Sequence, residues 1–121
     1  MRRPGTDENN VQMSDVMCDF CRLEWTDTRH MVEGHQGSCI CSECLTQAYR
    51  TLALEKRTIA PADSKCTLCL ENRPAPLWSL SQFPDVIACL RCVKQSAAVL
   101  QKDPDYNWRK PEATQASDPA R

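Results

Sequence analysis

Four Cys-x-x-Cys pairs govern what this chain can fold into: Cys18/Cys21, Cys41/Cys44, Cys66/Cys69 and Cys89/Cys92. Nineteen residues separate the first pair from the second, and nineteen separate the third from the fourth. Every member of the later set lies 48 positions after its counterpart in the earlier one. The chain is therefore an internal repeat of two units. Each unit is about 40 residues long, a size at which apolar burial alone rarely stabilises a fold. With 6% aromatic residues there is little bulk to build such a core, so the cysteines must supply the stability.

Their chemistry follows from context. The ten N-terminal residues hold two arginines but no apolar stretch, so no secretory signal is read there, and no segment approaches the length of a membrane-spanning helix. Without an export route, disulfides are disfavoured, and an odd total of nine cysteines points the same way. Metal binding remains. Zinc takes four thiolates in a tetrahedron, and two matched CxxC…CxxC sets predict two structural Zn(2+) ions held by Cys18, Cys21, Cys41 and Cys44, and by Cys66, Cys69, Cys89 and Cys92. An iron–sulfur cluster and a redox dithiol are the alternatives. Four thiolates per site leave no coordination position for water, which argues against catalytic zinc. The chain has three glycines, too scattered for a phosphate-binding loop, and no nucleophile elbow. The expectation is a protein that is not an enzyme.

The repeat assigns the ninth cysteine. Cys39 falls opposite Ile87, so it reads as a small buried hydrophobe, with an exchange of Cys39 for Cys41 as ligand the alternative. His30 and His35 fall opposite Trp78 and Phe83, which marks both as packing positions in a hairpin. After Cys44, apolar residues at 45, 48, 49 and 52 have helical spacing, as do Val93, Ala97 and Leu100 after Cys92, with Asp103-Pro104 ending the run. Between the pairs of the first unit, Leu23 and Trp25, then His30 and Val32, alternate as the arms of a β-hairpin would. Pro74, Pro76 and Pro84 limit the same ladder in the second unit. Residues 1–14 are expected to be a disordered tail, 15–53 the first finger, 54–65 a helix end and linker, 66–102 the second finger, and 103–121 a mostly disordered tail. Tyr106 and Trp108 are placed to fold back on the second finger.

Cys18-Asp-Phe-Cys21 and Cys39-Ile-Cys41-Ser-Glu-Cys44-Leu45 resemble the N-terminal zinc-binding domain of the ClpX chaperone ATPase; the second unit keeps the ligands and departs elsewhere, with Arg91 where the first has Glu43. The resemblance implies a small α+β, zinc-stabilised fold of two tandem treble-clef-like fingers, each with a CxxC knuckle, a β-hairpin and a CxxC opening an α-helix. The ATPase portion is not among these residues, so neither nucleotide hydrolysis nor unfolding is implied. In that family the domain dimerises and recruits adaptors and some substrates. The resemblance thus implies a protein-interaction or adaptor module in the cytoplasm, whose two fingers pack as an intramolecular pseudo-dimer or assemble as a homodimer. Leu77, Trp78, Leu80 and Phe83 exceed what one small finger hides, so they mark an interface that faces the first finger, a second copy or an outside partner, with partner binding the role assigned to them. Nucleic-acid binding is the alternative. Charge opposes it: the formal net charge is −1, and two tetrathiolate zinc sites lower it to about −5, whereas duplex binding rests on clustered Lys and Arg.

Overall fold

The computed structural model describes residues 1, 4–7, 9–12, 15–34, 38–61, 64–74, 76–104, 106, 108, 109 and 111. His35, the basic residues Arg2, Arg3 and Lys110, and the expected tail at 112–121 lie outside the described residues.

Each unit begins with a knuckle at its first CxxC. In the first, the Arg22 amide donates to the Cys18 carbonyl and the Cys18 amide to the Leu23 carbonyl; in the second, Leu70 bonds Cys66 and Cys66 bonds Glu71 in the same way. Flanking bridges join Met17 to Glu24 and Lys65 to Asn72. Arg22 and Leu70 both take the left-handed conformation, at φ 64° and 62°, which lets the chain double back beneath the two sulfurs at some steric cost for residues bearing a Cβ. The 48-residue offset thus holds bond for bond through the knuckle.

A short antiparallel hairpin follows: β1 (Met31–Glu33) with β2 (Cys39–Cys41), then, in the second unit, β3 (Leu77–Trp78) with β4 (Ala88–Cys89). The alternation at Leu23 and Trp25 belongs elsewhere. Trp25 donates to Val16, pairing this stretch back onto the knuckle, so the hairpin starts later than the alternation predicts. Register also corrects the repeat alignment. Met31 pairs with Cys41, ten positions on, whereas Leu77 pairs with Cys89, twelve positions on. The second hairpin therefore has two more residues in its turn and two fewer before its first strand. Trp78, opposite Ala88, is the spatial counterpart of Val32, opposite Ile40, and not of His30.

The second CxxC of each unit opens a helix, α1 (Ser42–Tyr49) and α2 (Leu90–Gln101). Cys41 and Cys89 are the N-caps: their sulfurs accept from the amides of Cys44 at 3.4 Å and Cys92 at 3.5 Å, satisfying donors a helix start leaves unpaired. α1 buries Leu45, Ala48 and Tyr49, and α2 buries Val93, Ala97 and Leu100, the stripes expected from their spacing. A wider π-type turn, Arg50–Leu54, continues α1 and buries Leu52.

Both units share one core. Phe20 of the first knuckle meets Trp78 of the second hairpin with ring centroids 5.6 Å apart, and the Arg22 guanidinium lies 4.6 Å over the Phe83 ring. Conversely, Gly34 at the end of β1 lies against Leu68 of the second knuckle. α1 and α2 pack on each other between these junctions. The segments after the helices cross over as well. Thr58–Ala60, in the expected linker, bond to Leu77: Ile59 and Ala60 donate to its carbonyl, and Thr58 Oγ1 accepts from its amide at 2.9 Å. Forty-eight positions later, Tyr106 donates to Thr28 O at 2.8 Å and its hydroxyl lies 2.9 Å from Ser42 Oγ, while Trp108 Nε1 donates to Thr46 Oγ1 at 3.0 Å. Tyr106 and Trp108 thus fold back on the first finger, not the second. The preference is physical: His30 is sandwiched between Trp25 and Tyr106, with centroids 5.2 and 4.1 Å away, and Asp103 reaches His30 Nδ1 at 3.4 Å.

A Cβ on Gly34 would sit 2.6 Å from Leu68 O and 2.9 Å from Leu68 Cα. Because the obstacle is knuckle backbone, Gly34→Ala is expected to destabilise the chain by about 1–3 kcal/mol, the usual cost of overpacking. A thermal melt at fixed zinc checks this, and an unchanged midpoint would contradict the close approach of the two units.

Candidate metal centres

The structure brings together the eight cysteines singled out by spacing. The sulfurs of Cys18, Cys21, Cys41 and Cys44 all lie within 4.8 Å of one another, as do those of Cys66, Cys69, Cys89 and Cys92. In each group one ligand, Cys21 or Cys69, is partly exposed and three are buried. Zinc–sulfur bonds of about 2.3 Å in a tetrahedron require sulfurs about 3.8 Å apart. The Cys21 and Cys41 sulfurs are 3.7 Å apart. The donor sets therefore fit a tetrahedral thiophilic ion, with four soft ligands and no side chain of another type among them.

Backbone amides support the negative charge such a site carries. Phe20 N and Cys41 N each donate to Cys18 Sγ at 3.3 Å, in addition to the helix-capping bonds to Cys41 and Cys89. Charge-directed donors of this kind favour thiolate over thiol. The crowding also splits the acidities. Hydrogen bonds from Cys66 and then Cys92 hold Cys89 down to about 3, whereas those it shares with Cys66 and Cys89 push Cys92 far above the thiol range. Cys21 is driven far down, first by its bond with Cys18, and Cys44 far up by the same neighbour. Four sulfurs this close cannot all ionise without a cation among them; a divalent ion held there would replace the shared protons.

Cys39 belongs to neither group. It is 1% exposed, and burial pushes its thiol up, keeping it neutral. Its carbonyl accepts from the Asp19 amide and its amide donates to Asp19 Oδ1, while Ile87 makes the same two bonds with Thr67. The two positions are interchangeable in backbone role, so the ninth cysteine fills an aliphatic site.

The expected partner-binding surface needs correction. Leu77 is 0% and Trp78 2% exposed, taken up by Thr58–Ala60 and Phe20; neither offers surface to an outside partner. Leu80 and Phe83 remain partly exposed. The apolar excess of the second finger is explained by the first finger covering it. Sequence reasoning missed the strap Thr58–Ala60 and sent Tyr106 and Trp108 to the wrong finger, although the 48-residue spacing between the two segments was a usable signal.

No helix among the described residues is long and apolar enough to cross a membrane. No curated protein and no solved structure matches the chain. A family model does: residues 16–53, about a third of the 121, match the ClpX C4-type zinc finger. The first unit is therefore similar in sequence to the ClpX C4-type zinc finger, and the second repeats its tetra-cysteine geometry in space.

Proposed function

We propose that this chain is a non-enzymatic, cytoplasmic protein-interaction module built on two structural zinc ions, with its treble-clef-like fingers paired as an intramolecular pseudo-dimer that recruits a protein partner or adaptor. The observation that carries this reading is the reciprocity of the contacts. Each knuckle rests on the other unit's hairpin, and each post-helix segment straps the other unit. One chain thereby makes the kind of self-complementary interface that two copies make in an isologous dimer. Such an arrangement spends both sites on rigidity and presents a single firm surface, as recruitment requires. The likeness of residues 16–53 to a ClpX-type finger supports the same class.

Nucleic-acid binding is less well supported. Single-strand binding needs exposed aromatic platforms, and Trp78 and Trp108 are buried while Trp25 stacks on His30. The test is affinity capture with the zinc-loaded full chain beside the chelated chain and each finger alone. A protein retained by the intact chain but not by the single fingers supports a paired module. A salt-dependent mobility shift of random DNA or RNA, with no protein retained, would replace this reading with the nucleic-acid one.

A further inference from the structure

The two metal centres match in ligands but not in what touches their accessible sulfurs. Cys21 and Cys69, the second ligand of each knuckle, are partly exposed, while the other six ligand cysteines are buried. A reagent arriving from solvent meets these two sulfurs first. The residue that leaves each knuckle differs in kind. Arg73 and Trp25 hold the same backbone place 48 positions apart: the Arg73 amide donates to the Ser64 carbonyl, as the Trp25 amide does to Val16. Trp25 lays its ring on His30, with centroids 5.2 Å apart. Arg73 instead hydrogen-bonds the Cys69 sulfur with its guanidinium. Glu71 stands 4.0 Å from that guanidinium, beyond hydrogen-bonding distance, and Arg73 Nε is buried, so the group is fixed against the ligand.

The cations of the first finger are committed elsewhere. Arg22, beside Cys21 in sequence, gives its Nε to the Asp19 carbonyl at 3.1 Å and lays its guanidinium over the Phe83 ring. Arg29 lies within electrostatic reach of Cys41 and Cys21, but its Nε and Nη2 both donate to Glu43 Oε1, at 3.2 and 2.9 Å. Cys21 takes a neutral donor, the Leu23 amide. In a loaded centre every ligand is already thiolate, so the thiol proton no longer sets reactivity. What remains is the nucleophilicity of the sulfur, which falls as a hydrogen bond draws off its charge. A guanidinium draws off more than an amide does.

We propose that Cys21 is the site at which soft carbon electrophiles modify this chain, and that Arg73 is a positioning residue whose hydrogen bond shields Cys69 from the same attack. In the step, a lone pair of the Cys21 sulfur forms an S–C bond to the electrophilic carbon. The bond from that carbon to its leaving group breaks, and the leaving group departs with the electron pair; no proton moves and no oxidant is required. The product is an uncharged thioether, a weaker metal ligand than thiolate, so the first centre is the one that loosens. This reactivity belongs to the metal centres and is independent of which partner the chain recruits.

The experiment treats the zinc-loaded full chain with a substoichiometric amount of iodoacetamide, whose leaving group is iodide, and locates the label by peptide mass mapping. Cys21 is expected to carry about three- to tenfold more label than Cys69, the span of a charge-assisted hydrogen bond scaled by a Brønsted coefficient of about 0.4–0.5. Cys39, buried and neutral, is expected to carry none. Arg73→Met, which keeps an apolar stem and removes the charge, is expected to raise Cys69 to the labelling of Cys21, with two zinc ions retained by native mass spectrometry. Arg73→Lys, which returns the charge, is expected to restore the preference. A role for Arg73 in packing alone would leave the ratio unmoved in the Met variant. Where that variant holds fewer than two ions, the ratio is read from Arg73→Gln, which keeps a neutral donor and is expected to lose the preference. Equal labelling of Cys21 and Cys69 in the unaltered chain, first labelling of Cys39 or of a buried ligand, or an unchanged ratio once the charge is removed would overturn the proposal.

Discussion

Stripping the zinc-loaded protein with a strong chelator is expected to remove two ions and unfold both fingers together. The magnitude decides this. A structural tetrathiolate site contributes on the order of 10–16 kcal/mol of apparent binding free energy near neutral pH, while a whole domain of this size is stable by only about 5–15 kcal/mol. Neither core survives that loss, and because Phe20, Trp78, Leu45 and Val93 belong to one cluster, the fingers should not melt separately. Native mass spectrometry gives the ion count and circular dichroism the fold. Cys44→Ser is expected to leave one ion per chain. Cys39→Val, which copies the aliphatic side chain at Ile87, is expected to leave two. Retention of helix signal after stripping, or loss of an ion from the Cys39 variant, would remove the structural-zinc argument or the assignment of its ligands.

Trp78→Ala is the second large effect, with an expected loss of about 3–5 kcal/mol, the range for deleting a buried aromatic. Trp78 is 2% exposed and fills the junction against Phe20, so truncation leaves a cavity between the units rather than a bare patch on the surface. Phe83→Ala should cost far less, about 1 kcal/mol, because Phe83 is partly exposed and chiefly carries Arg22. Denaturant titration of the zinc-loaded variants measures both. If Trp78 were surface awaiting a partner, its loss would shift stability by only about 0.5 kcal/mol, and that outcome would mean the fingers are not packed in solution. The consequence for binding studies is direct: a Trp78 variant that fails to capture a partner reports a damaged fold, whereas Leu80 and Phe83 variants can report on a surface.

The metal sites were legible because their grammar is local. Two cysteines three apart form one knuckle whatever surrounds them, and a CxxC whose first sulfur caps the following helix fixes its own geometry. The fate of Cys39 was legible for a related reason: the repeat supplies Ile87 as an internal comparison. The hairpin register was not. A constant offset of 48 places His30 opposite Trp78, but the second hairpin shifts two residues from its approach into its turn, and total spacing between ligand pairs cannot show such a compensation. Nor did composition show where Tyr106 and Trp108 dock. Their destination depends on the Trp25–His30 stack and the Ser42 and Thr46 hydroxyls of α1, groups more than 60 residues away in sequence.

By itself, then, the sequence determined two four-sulfur centres, the two helices they open and the aliphatic role of the ninth cysteine. These depend on short-range backbone geometry, which spacing encodes completely. Only the tertiary structure decided that the fingers exchange straps and that Leu77 and Trp78 are interior. Those outcomes turn on which apolar face meets which, and burial is non-directional: a stripe of apolar residues states that it must be covered, but not by what.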